Sequence, residues 1–246
     1  MIRKICRGYK YSRAIGFAQS LSYIFTRKGK LVKVTISGNK IYVRKGSKDL
    51  MVAVSCLFSH EFSALKFLLP GNFSGTIVDA GGYIGTAAIA FSNMFPKAEV
   101  ITIEPSIDNY EVIKKNIAPF SKIKSINAAL SSKNDSVSLN DLSTGEWGYS
   151  IIDIKDNGPQ KKLHDVECVT LKNVAQDKHI DVLKLDIEGG EYDLLTNSLS
   201  DLKKIDIVIA ELHERIVPNT EKKFFQFSKD RIIFKDNSEK YISVSK

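Results

Sequence analysis

The stretch L-K-L-D-I-E-G-G-E-Y-D-L-L, Leu183 to Leu195, decides the fold. Leu183, Leu185 and Ile187 alternate with Lys184, Asp186 and Glu188, which is the two-residue period of a strand. Gly189 and Gly190 break it, and Glu191, Leu194 and Leu195 open a helical spacing. Asp186, Glu188 and Glu191 therefore gather at one strand end. In an open α/β sheet, ligands bind beyond the carboxyl ends of the strands.

Working outward, strands and helices alternate from Thr76 onward. T-I-V-D-A (76–80) predicts a strand and 84–94 a helix; E-V-I-T-I-E (99–104) predicts the next strand and 107–117 the next helix. I-K-S-I-N-A-A-L (123–130), D-V-L-K-L-D-I (181–187) and D-I-V-I-A-E-L (206–212) follow as strands, with a helix between the last two. A helix over 221–228 precedes R-I-I-F-K and Y-I-S-V-S, joined by D-N-S-E as an antiparallel hairpin at one edge. This rhythm implies an α/β fold with a mostly parallel seven-stranded sheet and helices on both faces. Residues 131–162, rich in Ser, Asn, Asp and Gly, interrupt it and read as a hairpin-like insertion. Before the sheet, residues 1–30 read as amphipathic helix, 31–44 as a hairpin turning at Gly38-Asn39, and 49–68 as a helix ending before Pro70-Gly71. The expected division is a lead-in over 1–70 and the main domain over 71–246.

A hydrophobic fraction of 43% supports a sizeable core, and no apolar run reaches the ~20 residues that span a bilayer. No continuous apolar h-region of a signal peptide follows the N-terminal charges. Cys6, Cys56 and Cys168, odd in number and far apart, read as reduced thiols of a cytoplasmic protein and not as a disulfide framework or zinc site. The net charge of +8 is unevenly spread: residues 1–50 hold 13 Lys and Arg against Asp49 alone, or +12, and the remainder holds 23 bases against 27 acids, or −4. The basic segment over residues 1–30 points to peripheral contact with an anionic membrane at its inner face, or to a solvated extension. A phosphate-binding role on RNA is the competing reading, disfavoured because the rest of the chain is net acidic and carries no further RNA-binding motif.

The first strand runs into D-A-G-G-Y-I-G, Asp79 to Gly85. A strand leading through glycines into a helix exposes backbone N–H groups and lets a ligand approach the main chain. Glu104, followed by Pro105-Ser106, ends the next strand, where a carboxylate can accept both hydroxyls of a ribose. The spacing is D-x-G-x-x-x-G rather than the G-x-G-x-x-G of a dinucleotide site. Asp79 would repel a pyrophosphate and favour a cationic group, which suits S-adenosylmethionine.

D-A-G-G-Y-I-G, I-E-P-S (103–106) and above all K-L-D-I-E-G-G-E (184–191) resemble the FkbM-type S-adenosylmethionine-dependent methyltransferases, whose pattern is D-x-G-A-N-x-G and K-x-D-x-E-G-x-E. The similarity covers about residues 40–215 and includes R-K-G-S-K-D, Arg44 to Asp49. Tyr83 stands where the family usually has Asn, and Ala88 where it often has Ser. The resemblance implies a Rossmann-like class I methyltransferase fold. It implies a donor held by Asp79, Ala80, Gly81, Gly82, Tyr83, Gly85, Glu104, Pro105, Ser106, Asn127, Ala128 and Asp186. It also implies O-methylation, the acceptor being a saccharide, a lipid-linked glycan or a related small molecule. A non-catalytic nucleotide-binding module is the alternative from another class, opposed by the retained acids.

Methyl transfer to an alcohol needs the acceptor in line and its proton removed. Asp186, Glu188 and Glu191 are candidate bases, because crowding raises at least one carboxylate pKa. His213, in E-L-H at the end of the fifth predicted strand, is a fourth candidate, titrating near neutrality. Glu191 also suits the helix dipole. No metal site is expected, although a divalent ion bridging Asp186, Glu188 and a diol is an alternative. Trp147 and Tyr149 suit stacking on a sugar, with Glu188 and Glu211 binding acceptor hydroxyls. His60-Glu61 could close over the donor.

Overall fold

The computed structural model describes residues 11–142, 145–152, 161–176, 178–235 and 240–246. Cys6 and the D-N-S-E turn lie outside the described residues, as do residues 1–10 and part of the insertion.

Residues 11–15 are helical and are followed by α1 (Phe17–Phe25), so the amphipathic lead-in forms in two pieces broken at Gly16. β1 (Leu31–Ile36) and β2 (Asn39–Arg44) make the expected hairpin. Its turn sits one residue earlier than expected: Ile36 pairs with Asn39, and Ser37 and Gly38 take φ of 47° and 82°. Two positive φ values in succession are what a tight hairpin of matching twist requires. The expected helix over 49–68 splits into α2 (Asp49–Leu57) and α3 (Leu65–Leu68). Between them His60 has φ 56° and Phe62 is buried in the core.

The main sheet uses β3 (Thr76–Ala80), β4 (Glu99–Ile103), β5 (Ile123–Ile126), β10 (Val182–Leu185), β11 (Ile207–Ala210), β12 (Ile232–Lys235) and β13 (Tyr241–Val244). Their spatial order is β12-β13-β11-β10-β3-β4-β5. β5, β4, β3, β10 and β11 run parallel, and β13 is antiparallel to both neighbours. The chain runs outward from β3 through β4 to β5, then returns to β10 on the other side of β3. That reversal is the switch point at which such sheets bind ligands. This is the Rossmann-like class I methyltransferase arrangement, with the terminal hairpin at the edge and β13 inserted inside it.

Side chains of successive strand residues point to opposite faces. Ile77, Val182 and Ile207 join one core, and Val78, Leu183 and Val208 the other. α4 (Thr86–Met94) covers the first face, together with α5 (Ile107–Ile117), α2 and the β1–β2 hairpin. The 31–57 region thus shares a continuous core with the sheet. α6 (Leu171–Ala175), α7 (Glu191–Asn197), α8 (Leu199–Leu202) and α9 (Thr220–Phe227) cover the second face. α5 begins where its pattern predicts, because the Ser106 hydroxyl accepts the Asn109 N–H as an N-cap.

The insertion is more ordered than its composition suggested. β6 (Ala129–Leu130), β7 (Ser136–Asp141), β8 (Tyr149–Ser150) and β9 (Lys161–Val169) form a small sheet in the order β6-β9-β7-β8. The expected strand over 123–130 divides between the two sheets, and β9 extends the insertion to Val169.

Gly81 holds φ +81°, and a Cβ there would lie 1.7 Å from the Asp186 carbonyl oxygen. Gly81→Ala is therefore expected to cost more than about 3 kcal/mol in urea denaturation. Gly71→Ala, where a Cβ meets nothing within 4 Å, should stay within roughly 0.5 kcal/mol of the parent.

Candidate active site

Strand register builds the site. Leu185 pairs with Ala80 and with Ala210, and Ala80 pairs with Ile103. The next residues, Glu104, Gly81, Asp186 and Glu211, therefore follow four adjacent parallel strand ends in one row. They border one cavity of about 300 Å³, walled above by Trp147 and Tyr149 of the insertion and on one side by Glu61 and Phe62.

On the β3–β4 side, Gly81 and Gly82 both donate their N–H to the Ile103 carbonyl, drawing the glycine turn across the end of β4. Tyr83, at φ 51°, donates its N–H to Glu104 Oε2 at 2.8 Å. Glu104 Oε1 accepts from Ser106 N–H and Asn109 Nδ2, each at 3.0 Å. A carboxylate offers about four acceptor sites, so Glu104 keeps one on Oε2, bordering the cavity. Burial pushes its pKa up to about 7 against the pull of these donors.

Tyr83, which stands where the resembled pattern has Asn, borders the cavity, and its hydroxyl donates to Asp49. Asp49 is fully buried and takes a two-pronged contact from Arg44, Nε to Oδ2 and Nη2 to Oδ1, both 2.9 Å. The Arg44–Asp49 lead-in thus serves to hold Tyr83.

Several expected donor residues face elsewhere. Asp79 is fully buried behind the cavity; Oδ2 accepts from Thr102 Oγ1 at 2.9 Å and Oδ1 faces Lys184 Nζ at 3.1 Å. It precedes the turn, so its charge meets a protein cation rather than the cavity. Asn127 donates to the Glu104 and Pro105 carbonyls, Ala128 lies in the second core, Ser106 caps α5 and Gly85 caps α4. Ala80 ends β3 within the core, while Pro105 borders the cavity.

On the β10–β11 side, Lys184 is the centre. Its ammonium donates to the Gly81 carbonyl at 2.9 Å and lies 3.1 Å from Asp79 and 3.4 Å from Asp186. Burial opposes its charge, but Asp79 and Asp186 raise its pKa well above the ordinary lysine value. The alternation read at 183–188 is therefore not that of a half-exposed strand. β10 is buried throughout and stops at Leu185, and its lysine is buried because it is paired. The expectation of a raised pKa at the acidic motif also changes. Burial pushes Asp186 up, yet Lys184, Lys240 and His213 together hold it below the usual carboxylate range. Glu211 is the raised acid, through burial and the adjacent Asp186 charge.

Glu191 is fully buried and does not border the cavity. Its Oε1 accepts Ile187 N–H at 2.8 Å and its Oε2 accepts Gly189 N–H at 2.9 Å. It holds the loop in which Glu188 (φ 49°) and Gly189 (φ 100°) turn into α7. His213 Nδ1 lies 3.0 Å from Glu191, and Nε2 lies 3.4 Å from Glu188. Burial alone would lower the His213 pKa, but these two carboxylates raise it to about 11. At neutral pH this favours the imidazolium, whose two ring nitrogens face Glu191 and Glu188 behind the cavity, where it positions these acids. Glu188 borders the cavity, pairs with Arg215 at 3.2 Å, and accepts Ser150 Oγ on its carbonyl at 2.6 Å.

Sequence reasoning missed Lys240, Asn109 and the role of Lys184. Lys240 is buried and bridges Glu61 Oε1 at 2.7 Å and Glu211 Oε2 at 2.8 Å, tying the lead-in and the start of β13 to the site. Asn109 Nδ2 donates to both Glu104 and the Glu146 carbonyl, which sets the Trp147 loop over the cavity. A lysine inside an otherwise apolar strand was the readable signal for Lys184, since such strands are normally continuous apolar runs. Asp186, Glu211 and His213 bring ligand atoms within 4.8 Å of one another, and Lys184 and Lys240 already pair with the two acids.

A family model described as the methyltransferase FkbM domain matches residues 79–235. The hexuronic acid methyltransferase AglP of Haloferax volcanii is 28% identical over 150 residues, covering 57% of this chain and 56% of that protein. The methyltransferase sdnD of Sordaria araneosa is 26% identical over 161 residues, covering 52% of this chain and 61% of that protein. The chain thus matches little more than half the length of these curated relatives. Among solved structures, a putative caffeoyl-CoA O-methyltransferase from Staphylococcus aureus aligns with TM-score 0.46 at 13% identity, over 76% of this chain and 83% of that one.

The His213 ion pairs set a pH dependence. The folded pKa of about 11 lies above the ordinary 6.5, so their stabilisation is complete below about pH 6.5, declines as pH rises toward 11, and is gone above it. Urea denaturation of the parent should show this loss between pH 7 and 10. The His213→Gln variant should be less stable at pH 7 and lack that part of the slope.

Proposed function

The chain belongs to the FkbM methyltransferase family, and from that premise we propose that it methylates a hydroxyl of a neutral or amino-bearing saccharide with S-adenosylmethionine as donor. The observation that carries this reading is one cavity with a ribose-type acceptor, Glu104, on one side and a pair of carboxylates, Asp186 and Glu211, on the other.

The residues fit such a donor. Glu104 has one acceptor site left for a ribose hydroxyl, and Gly81 and Gly82 leave the adjoining wall without side chains. The acids around the cavity favour a cation and disfavour a pyrophosphate. When bound, S-adenosylmethionine supplies an electrophilic methyl group on a sulfonium. Asp186 and Glu211 offer carboxylate oxygens within 4.8 Å of each other, close enough for one acceptor hydroxyl to meet both. Asp186, held ionised by Lys184, orients that hydroxyl. Glu211, the more basic of the two, takes its proton as the oxygen gains the methyl group. Trp147 and Tyr149 provide the aromatic faces on which a sugar ring stacks.

The charge of the acceptor follows from the lining. Glu61, Glu146, Asp186, Glu188 and Glu211 border the cavity, and its two lysines, Lys184 and Lys240, are each already paired with carboxylates. A carboxylate-bearing sugar or a polynucleotide would meet uncompensated negative charge.

Glu211→Gln is expected to lower the turnover number by about 10²–10⁴-fold while S-adenosylhomocysteine affinity by calorimetry stays within a few-fold. Glu104→Gln should do the reverse, weakening that affinity roughly tenfold or more through a lost charge-assisted hydrogen bond. In a radiolabelled methyl-transfer screen over neutral, amino and uronic sugars, the uronic sugars should be the poorest acceptors. Tight NADH binding without S-adenosylhomocysteine binding would reject the donor, and preference for a uronate would reject the acceptor class.

A further inference from the structure

We propose that α1 seats this protein on an anionic lipid surface. The helix buries none of its residues, yet it is rich in large apolar side chains. Phe17 is 75% exposed, Ile24 60% and Phe25 83%, with Leu21 also exposed. Their spacing of i, i+4, i+7 and i+8 puts all four on one helical stripe. Three of these side chains standing mostly in water is more than scattered surface apolarity accounts for.

The helix is fixed with that stripe outward. Gln19 and Tyr23 lie on the opposite side: Gln19 Oε1 accepts the Thr35 N–H at 2.6 Å, and Tyr23 packs on the core under Lys45, whose Nζ is 4.0 Å from the ring centre. Just before it, Ala14 and Ile15 are buried. The β1–β2 hairpin therefore carries the helix as a rigid apolar ridge.

Charge selects the occupant. Residues 1–30 contain eight Lys and Arg and no acid, and Arg27, Lys28 and Lys30 follow the stripe directly, all exposed. An exposed apolar stripe flanked by bases fits the interface of a membrane bearing anionic headgroups, which gains from both contacts at once. A second copy of the same surface would bring like charges together. No helix among the described residues is long and apolar enough to cross a membrane, so the contact is one of lying on the surface. A membrane-seated enzyme would meet acceptors carried on lipid, but the inference does not depend on the acceptor.

The test is co-sedimentation of the full chain with phosphatidylcholine vesicles with and without phosphatidylglycerol, beside light scattering of the protein alone. Binding is expected only with phosphatidylglycerol and should weaken with salt. Phe17→Ser with Phe25→Ser should reduce it at least about tenfold, from the loss of two inserted rings. Arg27→Glu with Lys30→Glu should reduce it through charge alone. Both variants should keep parental S-adenosylhomocysteine affinity and circular dichroism, since these side chains touch neither core nor cavity. Absence of vesicle binding, binding by either variant unchanged from the parent, or a dimer in solution that the Phe17/Phe25 variant abolishes would each overturn the proposal.

Discussion

The site is organised around the ion pair of Lys184 with Asp79 at the switch point of the sheet. Burying an ammonium is costly unless its charge is met, and here two carboxylates meet it. Asp79 on β3 supplies the counter-charge, the Gly81 carbonyl accepts a hydrogen bond, and Asp186 supplies a second carboxylate. One side chain thus ties the glycine turn, the central strand and the acidic motif together. Removing Lys184 would leave the buried Asp79 carboxylate with Thr102 and no counter-charge, beside the turn that brings Tyr83 against Glu104.

A second tier fixes the acids beyond the strand end. Glu191 holds the Ile187 and Gly189 amides, His213 holds Glu191 and Glu188, and Ser150 holds the Glu188 carbonyl. A left-handed Glu188 is unfavourable for a residue with a side chain, and it persists because these contacts over-determine it. The four expected catalytic groups divide by position: Asp186 and Glu188 border the cavity, Glu188 paired with Arg215 and His213, while Glu191 and His213 stand behind it. Lys240 completes the balance from the far end of the chain, and with Glu61 and Glu211 it links the lead-in to the last strands.

Much of this was legible because some constraints are local. The period of apolar residues, the Ser106 cap and the Gly81–Gly85 turn each act within a few residues, so elements such as α5 fall where the pattern put them. The identity of the acidic row was also local, each acid or glycine standing at the end of a strand with readable periodicity. The insertion was less legible. β6 and β9 pair across about 40 residues of chain, and nothing local in I-N-A-A-L marks the point where one strand leaves the main sheet for another. The β1–β2 turn moved by one residue because cross-strand pairing, not the glycine alone, sets it.

By itself, then, the sequence determined the α/β order, the glycine turn, the row of acids and the basic amphipathic start, since these follow from periodicity, backbone freedom and composition. Only the tertiary structure decided what each charge does. Asp79 meets Lys184, Lys184 holds Asp186 below the usual carboxylate range, burial beside Asp186 raises Glu211, and Glu188 and Glu191 raise His213. The physical reason is that protonation and pairing depend on burial and on neighbours distant in sequence, such as Lys240 beside Glu61 or Tyr83 on Asp49, and no local pattern encodes those distances.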